Sequence, residues 1–463
     1  MCIWKRSKKP TSSGTTVLTV PTIALSEFKG HSEDPSPTPI AQLPDDLIGL
    51  ILDLLSSKND LRACSLINRT WLPHVQSRLF TNFECTLHPY DFVACPTPVT
   101  CSRKTRELEG IVKRSPHIAH YFRTLQIRFN PNTSGPNASL GTFCAWDSVL
   151  FLIPRMIGVR DIQLINVHPK VLKWSSLPQR LRETFLECIS RPSLCFFRIE
   201  RVHQFPIDSV FESQSLISLE LHNAGFSPPM SRYQALGSSP EAEGARAESS
   251  VNQPIFSSLE KLSFRGSEDG KAATQLLNCL GDSGSSAHGQ AFGQLEQLSF
   301  VLHRSEDLLL ISILRQSAFS LKDLTLTVDP GSIAITSEVC TIMQNLISLE
   351  ILRITFNNIP DNADRFRRDM TKTLYFLSKA DCPLNEIHIT LQPLPSRHLN
   401  IRTEPWEDVD NAMSYWINKG TLQRVHIGFG PPQRTYLSPR PMIFFPKCLE
   451  RVAASGILNP LFP

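Results

Sequence analysis

The sequence predicts an α/β protein, in which a short all-helical module is followed by an irregular array of strand–helix repeats with a curved parallel sheet. Three observations support this fold class. Residues 43–82 carry apolar side chains at helical spacing, short apolar segments recur from about residue 120, and helix-like segments lie between them. Repeated strand–helix units are typical of a solenoid. The alternative is a general α/β domain with a mostly parallel sheet, since the same alternation would fit it.

Composition narrows the classes of partner. The chain has 463 residues, too many for one ordinary globular core, and a formal net charge of only +4. So weak a field gives no reason to expect nucleic acid or a membrane surface as a partner. No run of about 18 apolar residues occurs, so we expect no membrane span.

The cysteines indicate a reducing environment. Twelve are scattered along the chain without a C-x-x-C pair, which favours reduced thiols and a cytoplasmic or nuclear location. Cys85, Cys95 and Cys101 lie near His88, but their spacing matches no zinc pattern. We therefore expect neither a metal nor a cofactor.

Local composition divides the chain into five parts. They are a disordered N-terminal tail at 1–42, the helical module at 43–82, a linker at 83–120, the array at 121–445 and a C-terminal tail at 446–463. Three polar insertions rich in Gly, Ser, Pro and Ala, near 130–141, 231–253 and 281–290, are predicted to be exposed loops within the array.

The first helix of the module is apolar on more than one side. Pro44 suits its first turn, and Asp45 and Asp46 suit its positive end. One apolar face has the helical spacing i, i+3, i+4, i+7, i+8 and consists of Leu47, Leu50, Ile51, Leu54 and Leu55. A second apolar strip, on another side of the helix, consists of Ile48 and Leu52. About 40 residues cannot bury both sides. A partner surface is therefore expected, although packing on the downstream chain would also cover it.

Two shorter helices complete the predicted module. Asp60 is placed to cap a second helix that runs from about Leu61 to Asn68. A third helix would start near Trp71, with Pro73 tolerated in its first turn.

These residues resemble the F-box family. In that family a Leu-Pro opening, a leucine- and isoleucine-rich first helix, an Asp-Leu turn and a later Trp recur at these distances; here they are Leu43-Pro44, Leu47-Ile48 with Ile51, Asp60-Leu61 and Trp71. The segments 61–66 and 69–71 look like the variety common in fungal F-box proteins. The departure at Ile67-Asn68-Arg69, where many members have a valine and a Cys or Ser, does not affect the docking expectation.

The resemblance implies docking onto the Skp-family linker protein and, through it, onto the cullin scaffold of a ubiquitin ligase. The positions carried over are Leu43, Pro44, Leu47, Ile48, Ile51, Leu61, Leu66 and Trp71, of which some, Trp71 especially, could serve the module's own core. The leading hypothesis is a non-catalytic substrate adaptor. The alternatives are an interaction scaffold outside a ligase and an enzyme of unrecognised family.

The array shows the pattern apolar-x-x-apolar-x-apolar ten times, from Phe122/Leu125/Ile127 to Leu422/Val425/Ile427. Helix-like segments separate the matches; they are 146–157, 179–190, 271–280, 305–316, 337–346 and 364–380. The intervals run from roughly 22 to 43 residues, against about 20 to 29 in regular leucine-rich repeats. The asparagine expected near each strand end is mostly missing. We therefore predict an irregular leucine-rich-repeat-like solenoid.

In such a solenoid the polar residue at the centre of each strand faces the open concave side. These residues are Gln126, Gln163, Arg198, Glu220, Ser263, Ser299, Thr325, Arg353, His388 and His426. Their mixed charges favour a protein target over a phosphate-rich one, without identifying it. His388 and His426 would be neighbours if their strands are adjacent, but two histidines are too few to predict a metal or acid–base site.

No motif indicates catalysis. The sequence lacks a phosphate loop, a G-x-S-x-G elbow, an H-E-x-x-H pair and a dinucleotide fingerprint. We therefore expect no catalytic residue.

Overall fold

The structure is a computed structural model, and it describes residues 43–55, 57–66, 69–87, 103–129, 145–211, 213–227, 258–266, 271–280, 292–303, 306–328, 337–359, 371, 375, 383–393, 407–429 and 450–461. The predicted tail at 1–42 and the three predicted insertions lie outside these residues.

The N-terminal module contains three helices, α1 (Asp45–Asp53), α2 (Lys58–Cys64) and α3 (Leu72–Leu79). Helix α2 begins before the predicted cap at Asp60, because the Ser57 side chain accepts a hydrogen bond from the Asn59 amide at 3.2 Å. Asp60 therefore lies in the first turn of α2. Helix α3 follows Trp71 and carries Pro73 in its first turn, as predicted.

The module has a small core of its own. Its buried side chains are Ile48, Leu52, Leu61, Trp71 and Val75, and partly buried Leu43, Leu55, Cys64 and Leu79 pack against them. Arg78 of α3 ties α1 to this core, because its Nη2 donates to the Gly49 carbonyl at 2.8 Å and its Nε donates to Asp53 at 2.9 Å. Of the two apolar surfaces on α1, the strip formed by Ile48 and Leu52 is buried.

The rest of the chain is organised by one sheet of 12 parallel strands. In order across the sheet they are β1 (Asn82–Leu87), β2 (Thr124–Phe129), β3 (Asp161–Asn166), β5 (Phe196–Glu200), β7 (Ser218–His222), β8 (Lys261–Arg265), β9 (Gln297–Leu302), β10 (Asp323–Val328), β11 (Ile351–Ile359), β12 (Glu386–Pro393), β13 (Arg424–Phe429) and β14 (Leu458–Leu461). The short strands β4 (Leu172–Lys173) and β6 (Val202–His203) pair separately.

The strand order distinguishes the two predicted architectures. Neighbours in the main sheet follow chain order from end to end, and the order never reverses among the described strands. A doubly wound α/β sheet reverses its order at a switch point, whereas a solenoid stacks each repeat on the one before. The predicted α/β class with a repeat-like parallel sheet is therefore confirmed.

Helices alternate with the strands. They are α4 (Arg103–Arg114), α5 (Ala145–Leu152), α6 (Gln179–Ile189), α7 (Asp208–Phe211), α8 (Lys271–Leu280), α9 (Asp307–Gln316), α10 (Ser337–Met343), α11 (Glu407–Lys419) and α12 (Glu450–Ala454), with 3-10 turns at Pro116–Tyr121, Ile153–Arg155 and Trp174–Ser176. Five of the six predicted helical segments overlap a helix of this set. The sixth, 364–380, lies almost entirely outside the described residues.

The core of the array is continuous from β1 to β13 and the helices beside them. Each strand contributes alternate apolar side chains, as Leu324 and Leu326 do on β10, and both are fully buried. Neighbouring strands align these side chains; Phe264 and Phe300 are register partners whose rings stack with centroids 5.1 Å apart. No repeat buries its apolar side chains alone, so the repeats stabilise one another.

The sheet extends one strand beyond the predicted array at each end. Strand β1, apart from Asn82, lies in the predicted linker at 83–120 and pairs with β2; Phe83, Cys85 and Leu87 are buried in the shared core. Strand β14 lies in the predicted C-terminal tail and pairs with β13. Pro460 on β14 has no N–H to offer a further strand, which suits an edge. Strand β1 is as long as β2 and lies before the region in which the repeat pattern was traced, whereas β14 has only four residues.

The helical module joins the first repeat directly. The Thr81 carbonyl accepts hydrogen bonds from the amides of Arg123 (2.8 Å) and Thr124 (3.1 Å). The rings of Phe80 and Phe83 each meet Phe122 edge-on at 6.0 Å. The module therefore sits at the N-terminal end of the array, fixed by backbone and aromatic contacts.

Two neighbouring positions on β10 test the division between buried and open faces. Leu326→Ala removes a fully buried side chain and is expected to lower the free energy of unfolding by about 2–5 kcal/mol. Thr325→Ala, on the opposite face, should change it by about 0.5 kcal/mol or less. Chemical unfolding followed by circular dichroism measures both, and equal losses would contradict the assigned faces.

Candidate functional site

The first candidate surface is an apolar face on α1, formed by Leu47, Leu50, Ile51 and Leu54 and called the α1 face below. The exposed fraction of these four side chains ranges from 38% to 84%. They follow helical spacing, so they project on one side of α1. The module core is already complete beneath the opposite strip, Ile48 and Leu52. Four large apolar side chains are therefore left in water on one short helix, as expected of an interaction surface.

The structure divides the eight residues predicted to dock onto a linker protein. Pro44, Leu47, Ile51 and Leu66 are exposed, with Leu66 the most exposed at 87%. Ile48, Leu61 and Trp71 are buried in the module core, and Leu43 packs against it. The exposed members can touch a partner, whereas the buried members support the helices that carry them. Leu50 and Leu54 share the same face, and helical spacing alone had placed them there.

The second candidate surface is the face of the sheet opposite the buried side chains. Because the strands pair level with one another, their central polar residues form one row, called the open row below. It contains Glu84, Gln126, Gln163, Arg198, Glu220, Ser263, Ser299, Thr325, Arg353, His388, His426 and Asn459, each the register partner of the next. All ten residues predicted for this face lie in the row and are half-buried.

The N-terminal half of the open row is linked by polar contacts. Gln126 donates to Gln163 across β2 and β3 at 2.8 Å. Arg198 contacts Glu200 at 2.7 Å and Glu220 at 3.5 Å. These pairs leave no large excess of either charge in this part of the row, which suits recognition of a polar protein segment.

His222 lies beside the open row on β7. Its Nε2 is 3.1 Å from the hydroxyl of Ser263 on β8. Burial lowers the pKa of His222, and the positive charges of Arg198 and Arg265 act in the same direction, while Glu220 and Glu200 oppose it.

The C-terminal half of the row contains a cluster of charged and imidazole groups. Strands β12 and β13 are adjacent, and His388 and His426 stack with ring centroids 4.3 Å apart. Glu386 contacts His388 Nε2 at 3.2 Å and Arg424 Nη1 at 2.9 Å. On the other side of His388, Arg353 forms an ion pair with Asp323.

The same contacts shift two pKa values in this cluster. The hydrogen bond with His388 lowers the pKa of Glu386, and the Arg424 guanidinium adds to the effect. Burial lowers the pKa of His426, and the neighbouring His388 acts in the same direction. These two shifts favour an ionised Glu386 and a neutral His426. Among the described residues, Glu386, His388 and His426 form the one group with three metal-type donor atoms close together.

One buried polar residue in the N-terminal part of the sheet escaped the sequence patterns. Asn166, at the end of β3, is almost fully buried. Its amide donates to the carbonyls of Lys170 (2.7 Å) and Arg201 (3.2 Å), which joins two successive repeats. It stands one position early relative to the leucine-rich consensus, so the expected spacing did not find it.

Comparison with known proteins identifies the helical module. Residues 40–83 match the family model of the F-box domain. The three helices of the module lie within this range, so the chain contains an F-box domain and the predicted resemblance is confirmed. No curated protein matches the chain. Among the described residues, no helix is long and apolar enough to cross a membrane.

The lowered pKa of His222 predicts a pH effect on stability. Its ordinary value is 6.5, so the unfolded chain takes up a proton at a higher pH than the folded protein does. Folding stability should therefore fall as pH drops from about 6.5 toward the folded pKa, and the loss is complete below it. His222→Asn should make this loss smaller.

Chemical unfolding at several pH values between about 7 and about 5 measures the effect. His120→Asn, at a solvent-exposed position, removes one histidine without changing His222 and serves as the control. A His222→Asn variant with the same pH dependence as the wild type would contradict the prediction.

Proposed function

We propose that this F-box-containing chain is the substrate-recruiting adaptor of a Skp–cullin–F-box type ubiquitin ligase. The F-box would hold the Skp-family linker protein through the α1 face, and the repeat array would hold a target protein on its open row. The observation that carries the proposal is an F-box whose own core is closed while the α1 face stays exposed.

Docking through α1 is supported by the energetics of apolar burial. A large aliphatic side chain contributes about 1.5–3 kcal/mol when it moves from water into a fully buried site. Covering Leu47, Leu50, Ile51 and Leu54 would therefore supply a substantial driving force. Leu66, after α2, adds another exposed side chain to the same small module. The buried residues Ile48, Leu61 and Trp71 act through the core, since they hold the three helices in place.

Target binding by the array is supported by the chemistry of the open row. Its residues are polar or charged and aligned across 12 strands, and the ten from Gln126 to His426 are half-buried. Arg198 is paired with Glu200 and Glu220, and Arg353 is paired with Asp323. A surface with both signs of charge fits a protein partner better than a phosphate-rich one.

The junction between module and array supports a positioning role. Backbone hydrogen bonds from Arg123 and Thr124 to Thr81 attach the F-box to the first repeat. A target on the open row would then be held at a restricted distance from enzymes brought by the scaffold, which raises its effective concentration there. In this proposal the chain contributes proximity and orientation, and its partners perform the chemistry.

Charged substitutions on the α1 face test linker docking. Leu47→Asp combined with Ile51→Asp should weaken binding of the Skp-family linker at least tenfold, because two carboxylates would be buried against an apolar partner. Both side chains are partly exposed, so the F-box should stay folded, which circular dichroism checks. Pull-down or calorimetric titration with the purified linker gives the affinity.

The matched control carries the same two changes on the array. Leu308 and Ile347 are exposed to 65% and 48%, and Leu308→Asp with Ile347→Asp should leave linker binding unchanged. If the α1 variant binds the linker like the wild type, the docking proposal is wrong.

A second measurement separates a ligase adaptor from a scaffold outside a ligase. Ubiquitination of the proteins that copurify with the full chain is compared between the wild type and the Leu47→Asp/Ile51→Asp variant. A loss in the variant supports the adaptor. Unchanged ubiquitination, together with lost linker binding, would favour the scaffold.

Bulky charges in the centre of the open row test target binding. Ser299 and Thr325 are register partners on β9 and β10, and Ser299→Arg with Thr325→Arg should remove target proteins from the copurified set while linker binding is kept. Thr274→Arg with Asn278→Arg, at exposed positions of α8, is the control. Mass spectrometry quantifies the bound proteins, and an identical set in both variants would place the target site elsewhere.

A further inference from the structure

The C-terminal end of the open row brings three metal-type donors into one place. Glu386 and His388 are two residues apart on β12, so they share a face of the sheet. His426 is the register partner of His388 on β13. One donor atom from each of the three side chains lies within 4.8 Å of the other two. The sequence alone pointed to no metal, because it showed two histidines without a third ligand.

The donor set matches a particular class of ion. Imidazole nitrogen suits zinc and neighbouring transition metals, and two histidines with one carboxylate are a recurring set of three zinc ligands. Calcium and magnesium prefer sites built from oxygen alone. A divalent transition metal, with zinc as the best match, is therefore the ligand that this chemistry would select.

The donor distances approach those of a metal site, although at least one imidazole ring has to reorient to complete it. With bonds of about 2.0–2.2 Å in a tetrahedral arrangement, two ligand atoms of one zinc ion lie about 3.3–3.5 Å apart. His388 Nε2 and Glu386 Oε2 are already 3.2 Å apart. The stacked rings of His388 and His426 have to tilt toward each other, because their nitrogens must converge on one point. All three side chains are partly exposed, so this rotation does not take place inside the closed core.

The surroundings position these donors. Arg424 holds one carboxylate oxygen of Glu386 at 2.9 Å, and the other oxygen faces His388. Contacts of this kind commonly orient the ligands of metal sites. Arg353, the register partner of His388 on β11, has its charge balanced by Asp323. The nearest cations are therefore both paired with carboxylates.

One imidazole atom in the cluster lacks a protein partner. Nδ1 of His426 is buried and has no hydrogen-bond partner among the described residues. A buried polar atom without a partner is unfavourable, and a bound ion with its water ligands would relieve this. The observation is independent of the clustering of the three side chains.

We propose that Glu386, His388 and His426 bind a single divalent transition-metal ion, zinc by preference, on the open row. The three side chains leave at least one coordination position, which faces the open side of the sheet and takes water. The site lies on β12 and β13, apart from the α1 face on the F-box, so it does not depend on the adaptor role.

Metal titration of the full chain tests this proposal. Competition with a chromogenic chelator measures Zn²⁺ binding. We expect the wild type to bind one more Zn²⁺ ion per chain than the His388→Gln/His426→Gln variant does. Each single variant, and Glu386→Gln, should weaken the binding at least tenfold. His222→Gln, on the same face but outside the cluster, is the matched control and should bind as the wild type does.

Cobalt distinguishes this site from the cysteines. Co²⁺ in place of zinc should give the visible absorption of a nitrogen- and oxygen-ligated ion, without thiolate-to-cobalt charge transfer, and the double variant should lose it. Thiolate absorption that persists in the double variant, or zinc binding that is the same in the wild type and all variants, would overturn the proposal. Circular dichroism of each variant shows that a loss is not caused by unfolding, and Glu386→Gln, which keeps both histidines, gives an independent result.

Discussion

The array depends on one constraint, the register of its parallel strands, in which equivalent residues of successive repeats lie side by side. Leu324 and Leu326 on β10 are covered on either side by their partners on β9 and β11, Leu298 with Phe300 and Leu352 with Ile354. Since side chains alternate along a strand, a slip of one residue would turn every apolar side chain into water. The register is thus held by burial. The same register aligns the polar residues on the opposite side, so the open row follows directly from the packing of the core.

The F-box is also shaped by the need to bury apolar side chains. Three short helices enclose a core of five buried side chains, which is enough to cover one strip of α1 but not two. The uncovered side chains make the α1 face. In the proposed function, the α1 face would bind through the release of water from apolar surface, whereas the open row would select its target through charge and hydrogen bonding. Two surfaces so unlike each other are suited to two different partners.

Adjacency of strands also decides which polar groups interact. Arg198 meets Glu220, and His388 meets His426, only because β5 pairs with β7 and β12 with β13. Irregular loop lengths do not disturb these pairs, because each strand is aligned by its core contacts and the connections vary outside the sheet. A repeat array can therefore change its loops while it keeps its open row. Clusters such as Glu386, His388 and His426 arise where the row happens to place suitable residues side by side.

The sequence by itself determined the F-box, the ten repeated strands, the ten predicted residues of the open row and α8 to its end residues, because periodic burial leaves a direct trace in the order of residues. It did not reveal β1 or β14, which the structure pairs with β2 and β13. Nor did it show which strip of α1 is buried, or that Glu386 and Arg424 join the two histidines. Those features were decided by the tertiary structure, because burial and contact between distant segments depend on surfaces that exist only after folding.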